Sequence, residues 1–304
     1  MSLQSGILIL AGPTACGKTD LAIALAQRFN AEIIGADSRQ IYRDMPIGTA
    51  APAPEQLGRV AHHLVGFLDP RERYSAARFT SDALAAIEDI HARGKRTIVA
   101  GGTGFYIRAL CGDVQLSAAY DSALRARLER EALTHPPEVL HAWLAARDPA
   151  RARAVAPKDR YRIVRALEIA LAGPRLQREP QSFASLRSRG YAAVKIWLEI
   201  EQSVLDERIE RRVDAMLEAG LLDEAQRIGE DAVAADAVGY SQAWAYLRGL
   251  LTHCELRLLL IRAVRRYAKR QRTWFRREAD MVASAAAQGA EGLERVARER
   301  LGWT

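Results

Sequence analysis

Cysteine is rare in this 304-residue chain, and its three cysteines lie far apart in the sequence. Cys16, Cys111 and Cys254 lack the spacing of metal ligands and of a disulfide framework, which favours a reducing compartment. No apolar run approaches the ~20 residues that a membrane helix needs. The first apolar run ends at Ala11 in a glycine-containing loop, which predicts a strand rather than a signal peptide. We therefore expect a cytoplasmic protein.

Acidic residues are in the minority, with 37 Asp and Glu against 44 Lys and Arg. The formal net charge is +7 and the isoelectric point is near 9.5. A positive excess favours polyanionic partners, although a generally arginine-rich composition would explain it as well. Internal repeats and low-complexity tracts are also absent, which excludes a repeat architecture. The length allows one full hydrophobic core and a second, smaller domain.

Residues 12–19 form a complete phosphate-binding loop of the type G-x-x-x-x-G-K-[ST]. These residues are Gly12, Pro13, Thr14, Ala15, Cys16, Gly17, Lys18 and Thr19. The apolar run 7–11 precedes the loop and a helical pattern follows it, which is the context that this motif requires. Backbone N–H groups and a helix start would surround an anion, Lys18 would reach a terminal phosphate and Thr19 would hold Mg²⁺. The loop predicts a di- or triphosphate site and leaves the compound open.

Strand and helix patterns alternate along the first third of the chain. Residues 31–37 and 96–100 predict a second and a third strand, with a helix over 76–93 between them. A strand pattern returns at 193–200, and helices are predicted from there to the end. Repeated βα units imply an α/β fold with a P-loop NTPase-like parallel sheet flanked by helices. Ligands bind such sheets at the carboxyl ends of the strands.

The segment between residues 113 and 189 has a different character. Strand patterns disappear, polar helical patterns take over, and prolines recur along the segment. This composition predicts a smaller, all-helical insertion domain. We predict a catalytic core made of residues 1–112 and 190–304, and an insertion made of residues 113–189.

Two polar segments follow predicted strands. Asp37 ends the second strand pattern, where a carboxylate can serve Mg²⁺ through water or act as a general base. Asp37 and Ser38 are equally good capping residues, so a structural role stays open. Thr103 lies in a Gly-Gly-Thr-Gly segment after the third strand, which predicts either a tight turn or a hydroxyl that faces the site. No later apolar run ends in a Walker-B aspartate, which disfavours an ATP motor.

A basic stretch without acidic residues extends from Arg262 to Arg277. A solvated charged face is one explanation. Like charges at i, i+4 are destabilising unless an anion neutralises them, and the interleaved aromatic residues offer stacking surfaces. We favour contact with nucleic acid or phosphate. Shorter basic clusters at 158–165 and 208–212 are weaker signals, and the adjacent pair His62 and His63 is interpreted as structural.

Taken together, these motifs resemble those of the bacterial tRNA dimethylallyltransferases, also called tRNA isopentenyltransferases. Besides the phosphate-binding loop, the matching segments are 37–42, 47–50, 74–76, 101–106, 162–168, 220–224, 237–240 and 269–276. They follow the order of the family over nearly the whole chain, and the joint match is very specific.

The resemblance implies transfer of a dimethylallyl group from dimethylallyl diphosphate to the exocyclic amine of the adenine 3′-adjacent to a tRNA anticodon. Residues 12–19 would bind the diphosphate, with Mg²⁺ near Thr19, and Asp37 would be the general base. Thr103 matches a threonine on the substrate side. We assign catalytic roles to Asp37, Thr103, Lys18 and Arg208.

Further segments match those that contact tRNA in the family. The residues implied are Asp37, Ser38, Arg39, Gln40, Thr103, Arg125, Tyr161, Arg162, Ile163, Val164, Arg165, Asp236, Ala237, Val238, Gly239, Tyr240, Ser241, Lys269, Arg270, Gln271, Arg272, Thr273, Trp274, Phe275 and Arg276. The expected partners are the anticodon stem-loop of tRNA and dimethylallyl diphosphate, and the expected state is a monomer without membrane contact.

Three departures from the family pattern stand out. Cys16 replaces the usual serine and places a thiol at a helix start, where we expect it to react readily. Ala51 replaces a common lysine, and the connection 229–237 is short. Three other classes remain open at this stage: a small P-loop kinase, an adenylate isopentenyltransferase that accepts free nucleotide, and a nucleic-acid-binding module without catalysis.

Overall fold

The computed structural model describes residues 6–114, 116, 122–172, 184–278 and 280–304. The chain divides into two compact units. The larger unit joins Met1–Val114 with Ala184–Thr304, and the smaller unit is Gln115–Phe183. These bounds lie two and six residues from the predicted bounds at 112 and 190.

A six-stranded parallel sheet forms the centre of the larger unit. Its strands are β1 (Gly6–Ala11), β2 (Ala31–Gly35), β3 (His62–His63), β4 (Arg96–Gly101), β5 (Ala192–Glu199) and β6 (Met281–Ala285). Their order is β3-β2-β4-β1-β5-β6, and every neighbouring pair is parallel. The central strand β1 is completely buried, as expected for a parallel sheet covered by helices. The predicted α/β fold class is confirmed.

Helices connect and cover the strands. In chain order they are α1 (Lys18–Arg28), α2 (Pro46–Thr49), α3 (Pro54–Leu57), α4 (Ala76–Ala92), α5 (Gly104–Cys111), α6 (Ser122–Thr134), α7 (Pro137–Arg147), α8 (Pro149–Ala154), α9 (Arg160–Leu171), α10 (Gln202–Glu218), α11 (Leu221–Ile228), α12 (Tyr240–Leu247), α13 (His253–Phe275) and α14 (Gly289–Leu301). Short 3₁₀ helices occur at Val233–Asp236 and Ala286–Gln288. Helices α6 to α9 belong to the smaller unit and the others to the larger unit.

Two clusters of apolar side chains position the site. In the first, Leu8 and Leu10 of β1 pack with residues of α1 and α14, including Ile23 and Leu293. The second joins α10 to α13, with Ile209 among its buried residues, and it reaches Ala15 of the phosphate-binding loop. The loop is therefore held from the sheet side and from the α10–α13 side.

The prediction for the last third of the chain is wrong in one respect. Residues 281–285 form β6 at one edge of the sheet, whereas helices were predicted to the end of the chain. This run is rich in alanine and short of β-branched residues, so its sequence carries little strand signal. The two-residue strand β3, which contains His62 and His63, was also missed because it is too short to show a periodicity.

In the smaller unit, the described residues 122–172 form the four helices α6 to α9 with short connections and contain no strand. Leu128 of α6, Leu140 and Leu144 of α7, and Ile163 and Leu167 of α9 form its core. Part of the predicted insertion lies outside the described residues, namely residues 115, 117–121 and 173–183. This part includes Asp121, which belongs to the segment that precedes Arg125. Across the described parts of the chain, no helix combines the length and the apolar character needed to cross a membrane.

Candidate active site

The phosphate-binding loop lies between β1 and α1, as its sequence predicted. Gly17 has φ 95°, a left-handed conformation that glycine adopts without strain, and it directly precedes the helix start at Lys18. The Lys18 Nζ donates hydrogen bonds to the carbonyl oxygens of Gly12 at 2.8 Å and of Pro13 at 2.7 Å. Lys18 is thus folded over the loop, where a bound diphosphate would also need a positive charge.

Two arginines of α10 contact the loop from its other side. The Arg208 Nη1 donates to the carbonyl oxygen of Cys16 at 3.0 Å, and the Arg212 Nη1 donates to the Thr14 hydroxyl at 2.8 Å. Burial lowers the pKa of the Arg212 guanidinium, and the nearby charge of Asp37 counteracts this effect. A half-buried guanidinium that, among the described residues, donates to a hydroxyl rather than to a carboxylate is suited to an anionic ligand.

Arg212 and Arg208 face different cavities. Arg212 lines a cavity of about 460 Å³ together with Lys18, Thr19 and Asp37. Arg208 lines a second cavity of about 680 Å³ on the Pro13 side of the loop. The catalytic role of Arg208 stays a prediction, whereas the sequence analysis named Arg212 only within the weak basic cluster 208–212 and gave it no role. Its position four residues after Arg208 on an amphipathic helix is the signal that could have indicated it.

Asp37 and Thr103 follow the adjacent strands β2 and β4, and the structure brings their segments together. The Asp37 Oδ1 accepts hydrogen bonds from the backbone N–H groups of Arg39 at 2.9 Å and of Gln40 at 3.4 Å. The Thr103 Oγ1 accepts from the backbone N–H of Ser38 at 2.9 Å. Asp37 therefore caps a turn with one oxygen, and the two interpretations of this residue are compatible.

The cavity next to Asp37 is lined by residues from several predicted site segments of the larger unit, although Thr103 itself is not among them. Besides Lys18, Thr19, Asp37 and Arg212, the lining includes Ser38, Arg39, Gln40, Gly101, Tyr267, Arg270 and Gln271. Burial and the charge of Asp37 both raise the pKa of the Tyr267 phenol, which keeps it protonated. The arrangement joins an anion-binding loop, a carboxylate and an aromatic ring in one concave site.

Residues 47–50 are held beside this cavity by a buried carboxylate. Glu224 of α11 is fully buried and accepts hydrogen bonds from the backbone N–H groups of Ile47 at 2.8 Å and of Gly48 at 2.7 Å. It also accepts one from the Tyr240 hydroxyl at 2.7 Å. The Gln40 side-chain amide donates to the carbonyl oxygens of Thr49 and Ala50 at 3.2 and 2.9 Å. Glu224 is a structural residue of the site that the sequence analysis did not single out.

The basic helix α13 presents two kinds of residue. Its buried stripe includes Gln271 and Phe275, and Phe275 stacks on Trp197 with ring centroids 4.9 Å apart. Of the predicted tRNA-contacting residues of this segment, Lys269, Arg270, Thr273 and Arg276 are exposed, and Arg272 and Trp274 are partly exposed. A phosphate backbone could therefore reach the exposed cations but not the buried stripe.

The residues of the predicted tRNA-contacting segment 236–241 also differ in their exposure. Asp236 and Ser241 are exposed and Val238 is partly buried, whereas Ala237, Gly239 and Tyr240 are buried. The side chains of Ala237 and Tyr240 pack in an apolar cluster under the cavity wall. The contacts of this segment with tRNA stay a prediction, carried by its exposed residues.

In the smaller unit, Arg125 is 6% exposed and pairs with Glu129 at 2.9 Å and with Glu168 at 3.1 Å. This geometry gives Arg125 a structural task, and its contact with tRNA stays a prediction. Ile163 and Val164 are buried in the helical core, and Arg165 also pairs with Glu168, at 2.8 Å. The remaining candidates of this segment are Tyr161, which is 67% exposed, and Arg162, which is exposed.

The Cys16 thiol is 1% exposed and packs against the phosphate-binding loop. The expectation that it reacts readily is therefore wrong for this conformation, because a reagent cannot reach a buried sulfur. His62 and His63 bond to the Val60 carbonyl and to Glu32, and no cluster of three metal-ligating His, Cys, Asp or Glu side chains occurs among the described residues. These facts agree with a structural interpretation of the histidine pair.

Comparison with known proteins gives concordant matches. A model of the IPP transferase family matches residues 40–278. The tRNA dimethylallyltransferase of Anaeromyxobacter dehalogenans strain 2CP-C is 45% identical over 298 residues, which covers 97% of this chain and 99% of that protein.

Two solved structures agree with these matches. The tRNA isopentenylpyrophosphate transferase of Bacillus halodurans has a TM-score of 0.71 and 36% identity, and the match covers 98% of this chain and 97% of that one. A eukaryotic dimethylallyltransferase acting on tRNA has a TM-score of 0.75 and 27% identity over 97% of this chain and 78% of its own. The resemblance inferred from the motifs is confirmed, and the chain belongs to the IPP transferase family.

Proposed function

We propose that this protein transfers a dimethylallyl group from dimethylallyl diphosphate to the exocyclic amine of the adenine 3′-adjacent to the anticodon of tRNA. The observation that carries the proposal is the single cavity of about 460 Å³ in which Lys18 and Thr19 face Asp37. A diphosphate on the loop would place its prenyl carbon within the same cavity as a base that is held next to the carboxylate. Ribose-linked adenine enters such a cavity only after it leaves its stack, at a cost of a few kcal/mol.

The reaction forms a bond between the adenine nitrogen and the first prenyl carbon, and it breaks the bond from that carbon to the diphosphate oxygen. The adenine amine is a weak nucleophile because its lone pair is delocalised. Asp37 accepts the amine proton as the new bond forms. Its turn hydrogen bonds from Arg39 and Gln40 fix the orientation of the carboxylate. The Thr103 hydroxyl accepts a hydrogen bond from the backbone N–H of Ser38, the residue after Asp37, and so supports the same turn.

Negative charge grows on the diphosphate as it leaves. Lys18, the N–H groups of the loop and Arg212 are placed to neutralise that charge, and electrostatic stabilisation of this kind is a large term in catalysis. Arg208, which holds the Cys16 carbonyl, supports the shape of the loop.

The donors present fit Mg²⁺. The Thr19 hydroxyl and the Asp37 carboxylate line the same cavity, and both are hard oxygen ligands. Mg²⁺ commonly takes only one or two protein oxygens and completes its shell with phosphate oxygens and water. When bound, the ion would neutralise charge on the diphosphate. Thr19 is the residue that we propose as its direct ligand.

Binding of the anticodon stem-loop is proposed to use exposed cations of α13 together with Arg39 and with Tyr161 and Arg162 of the smaller unit. The net charge of +7 favours this polyanionic partner. We propose that the protein acts as a monomer in the cytoplasm, where tRNA is modified. The reaction needs no residue from a second copy, because the loop and the carboxylate come from one chain.

The test is incubation of the protein with Mg²⁺, labelled dimethylallyl diphosphate and one of three acceptors: unmodified tRNA, AMP or ATP. We expect label in tRNA alone, and nucleoside mass spectrometry should place it on the adenosine next to the anticodon. A tRNA with that adenosine replaced by guanosine is the matched control. Transfer to AMP or ATP would instead indicate an adenylate isopentenyltransferase, and phosphorylation without prenyl transfer would indicate a kinase.

A further inference from the structure

The side chain of Gln271 joins the two loops that form the cavity. Its Oε1 accepts a hydrogen bond from the backbone N–H of Thr14 at 2.8 Å, and its Nε2 donates to the carbonyl oxygen of Gly102 at 3.0 Å. Thr14 belongs to the phosphate-binding loop, and Gly102 directly precedes Thr103. One amide therefore connects the diphosphate side of the cavity to the side that supports Asp37.

The residues around the Gln271 amide restrict its position. Gln271 is 5% exposed, so neither bond competes with bulk water. A Cβ on Gly102 would lie 2.1 Å from the Gln271 Nε2, so only glycine leaves room for the contact. Thr14 is held a second time, through its hydroxyl, by Arg212. The amide oxygen accepts one of the two hydrogen bonds, and one amide N–H donates the other. The two partners, Thr14 and Gly102, lie far apart in the sequence.

The neighbours of Gln271 on α13 are different in kind. Lys269 and Arg270 are exposed, whereas Gln271 faces inward. Its amide oxygen and one amide N–H are occupied, and the side chain faces the cavity rather than the outer surface of the helix, where a phosphate backbone would bind. Sequence resemblance placed it among the tRNA contacts because it lies within the basic motif.

We infer that Gln271 is a positioning residue that fixes the phosphate-binding loop relative to the Thr103 loop, rather than a tRNA contact. The inference rests on the proposed function and adds to it the residue that sets the distance between diphosphate and base. The same helix carries exposed cations on its outer side, so a tRNA bound there is joined to the loop through Gln271.

The direct test compares Gln271→Met with Lys269→Met on the full chain. Methionine has nearly the size of glutamine but cannot make either bond, and it leaves the Thr14 N–H without its acceptor. We expect Gln271→Met to weaken binding of inorganic diphosphate, measured by calorimetry with Mg²⁺, by roughly tenfold. The single-turnover rate should fall by at least as much, while tRNA affinity stays within about twofold. Lys269→Met should show the opposite pattern, with weaker tRNA binding and unchanged diphosphate binding.

A second variant keeps the inference testable if Gln271→Met does not fold. Gly102→Ala should displace the amide, and it should reproduce the loss of diphosphate affinity. In a Gln271→Ala background the nearest remaining neighbour of the added methyl is the Gly12 carbonyl oxygen at 3.6 Å, an ordinary contact, so Gly102→Ala should cost nothing further. Additive losses in this cycle would overturn the inference.

Two further outcomes would also overturn it. If tRNA affinity falls and diphosphate affinity does not, Gln271 contacts tRNA as the resemblance implied. If both affinities fall together with the melting temperature, the residue only stabilises the fold. The titration with inorganic diphosphate needs no turnover, so it tests the role of Gln271 independently of the proposed reaction. Failure of the proposed function would instead appear as no prenyl transfer by the unsubstituted protein.

Discussion

Arg39 and Asp236 form a bidentate ion pair, with 2.6 Å between Nη1 and Oδ1 and 3.0 Å between Nη2 and Oδ2. Both residues line the cavity next to Asp37, and both were assigned separately to tRNA contact. In this structure each one satisfies the other. A nucleic acid phosphate that contacts Arg39 therefore competes with Asp236 for the charge of the guanidinium.

We expect Asp236→Asn to strengthen tRNA binding by about two- to fivefold, because exposed ion pairs are worth little and the freed Arg39 can pair with a phosphate. Filter binding at two salt concentrations measures this, and Arg39→Ala should weaken binding in the same assay. Weaker binding by Asp236→Asn would show that the carboxylate itself contacts the tRNA.

The two arginines of α10 give a comparison within one helix. Arg212 lines the cavity with Lys18, and Arg208 does not. We expect Arg212→Met to weaken binding of inorganic diphosphate by about tenfold or more, the usual loss for a hydrogen bond to a charged group. Arg208→Met should weaken it less, since Arg208 acts on the loop through the Cys16 carbonyl. The reverse order in calorimetric titrations would identify Arg208, rather than Arg212, as the primary phosphate ligand.

Salt dependence tests the exposed face of α13. Each alanine substitution at Lys269, Arg270 or Arg276 should flatten the log–log salt dependence of tRNA affinity by roughly one unit or less. Arg265 is the matched control on the same helix, because Asp206 and Glu210 already pair with it, both at 2.8 Å. Its replacement should leave the slope unchanged. An equal change of slope at Arg265 would assign the charges of the helix to a general field rather than to contacts.

The phosphate-binding loop and the strands around it were predictable because their signals are local. A buried run, a glycine loop and a helix start follow one another within residues 7–26, and each fixes its own backbone. The edge strand β6 was not predictable, because five residues with two alanines and one β-branched residue gain strand geometry only from pairing with β5.

The site was predictable by segment but not by side-chain direction. The motif around Gln271 is basic throughout, and only the packing of α13 shows that this residue faces inward while Lys269 faces outward. Arg212 and Glu224 lie in the segments 208–212 and 220–224 that the sequence analysis named, but they received no role for the same reason. Their partners, Thr14 and Gly48, lie more than 170 positions away in the sequence. Such pairings depend on tertiary contacts that no local pattern contains.

Glu32 provides a pH-dependent contribution to stability. This buried carboxylate bonds to Arg93, to Lys95 at 2.8 Å and to His63 at 2.7 Å. The hydrogen bond from Arg93, followed by those from Lys95 and His63, holds the pKa of Glu32 well below its ordinary value of 4.5, although burial acts in the other direction. The unfolded chain therefore takes up this proton at a higher pH than the folded chain does.

The contribution of Glu32 should be fully present above pH 5 and should decline as the pH falls below about 4.5. We expect Glu32→Gln to lower the free energy of unfolding by about 1–3 kcal/mol at pH 7, with a difference that shrinks towards pH 3. Urea unfolding at several pH values measures it. A difference independent of pH would mean that packing, and not charge, explains the loss.

Asp37 carries the proposed proton transfer, and its geometry makes one substitution informative. An asparagine keeps an Oδ1 that can accept from the N–H groups of Arg39 and Gln40, so the turn should survive Asp37→Asn. Both substrates should then bind within a few-fold, while the single-turnover rate falls by about 10²–10⁴, the usual effect of a positioned general base. If Asp37 mainly organised Mg²⁺, diphosphate affinity would collapse instead and added metal would partly restore activity. A near-normal single-turnover rate would remove Asp37 from the chemistry, because no other change in this variant could replace the lost base.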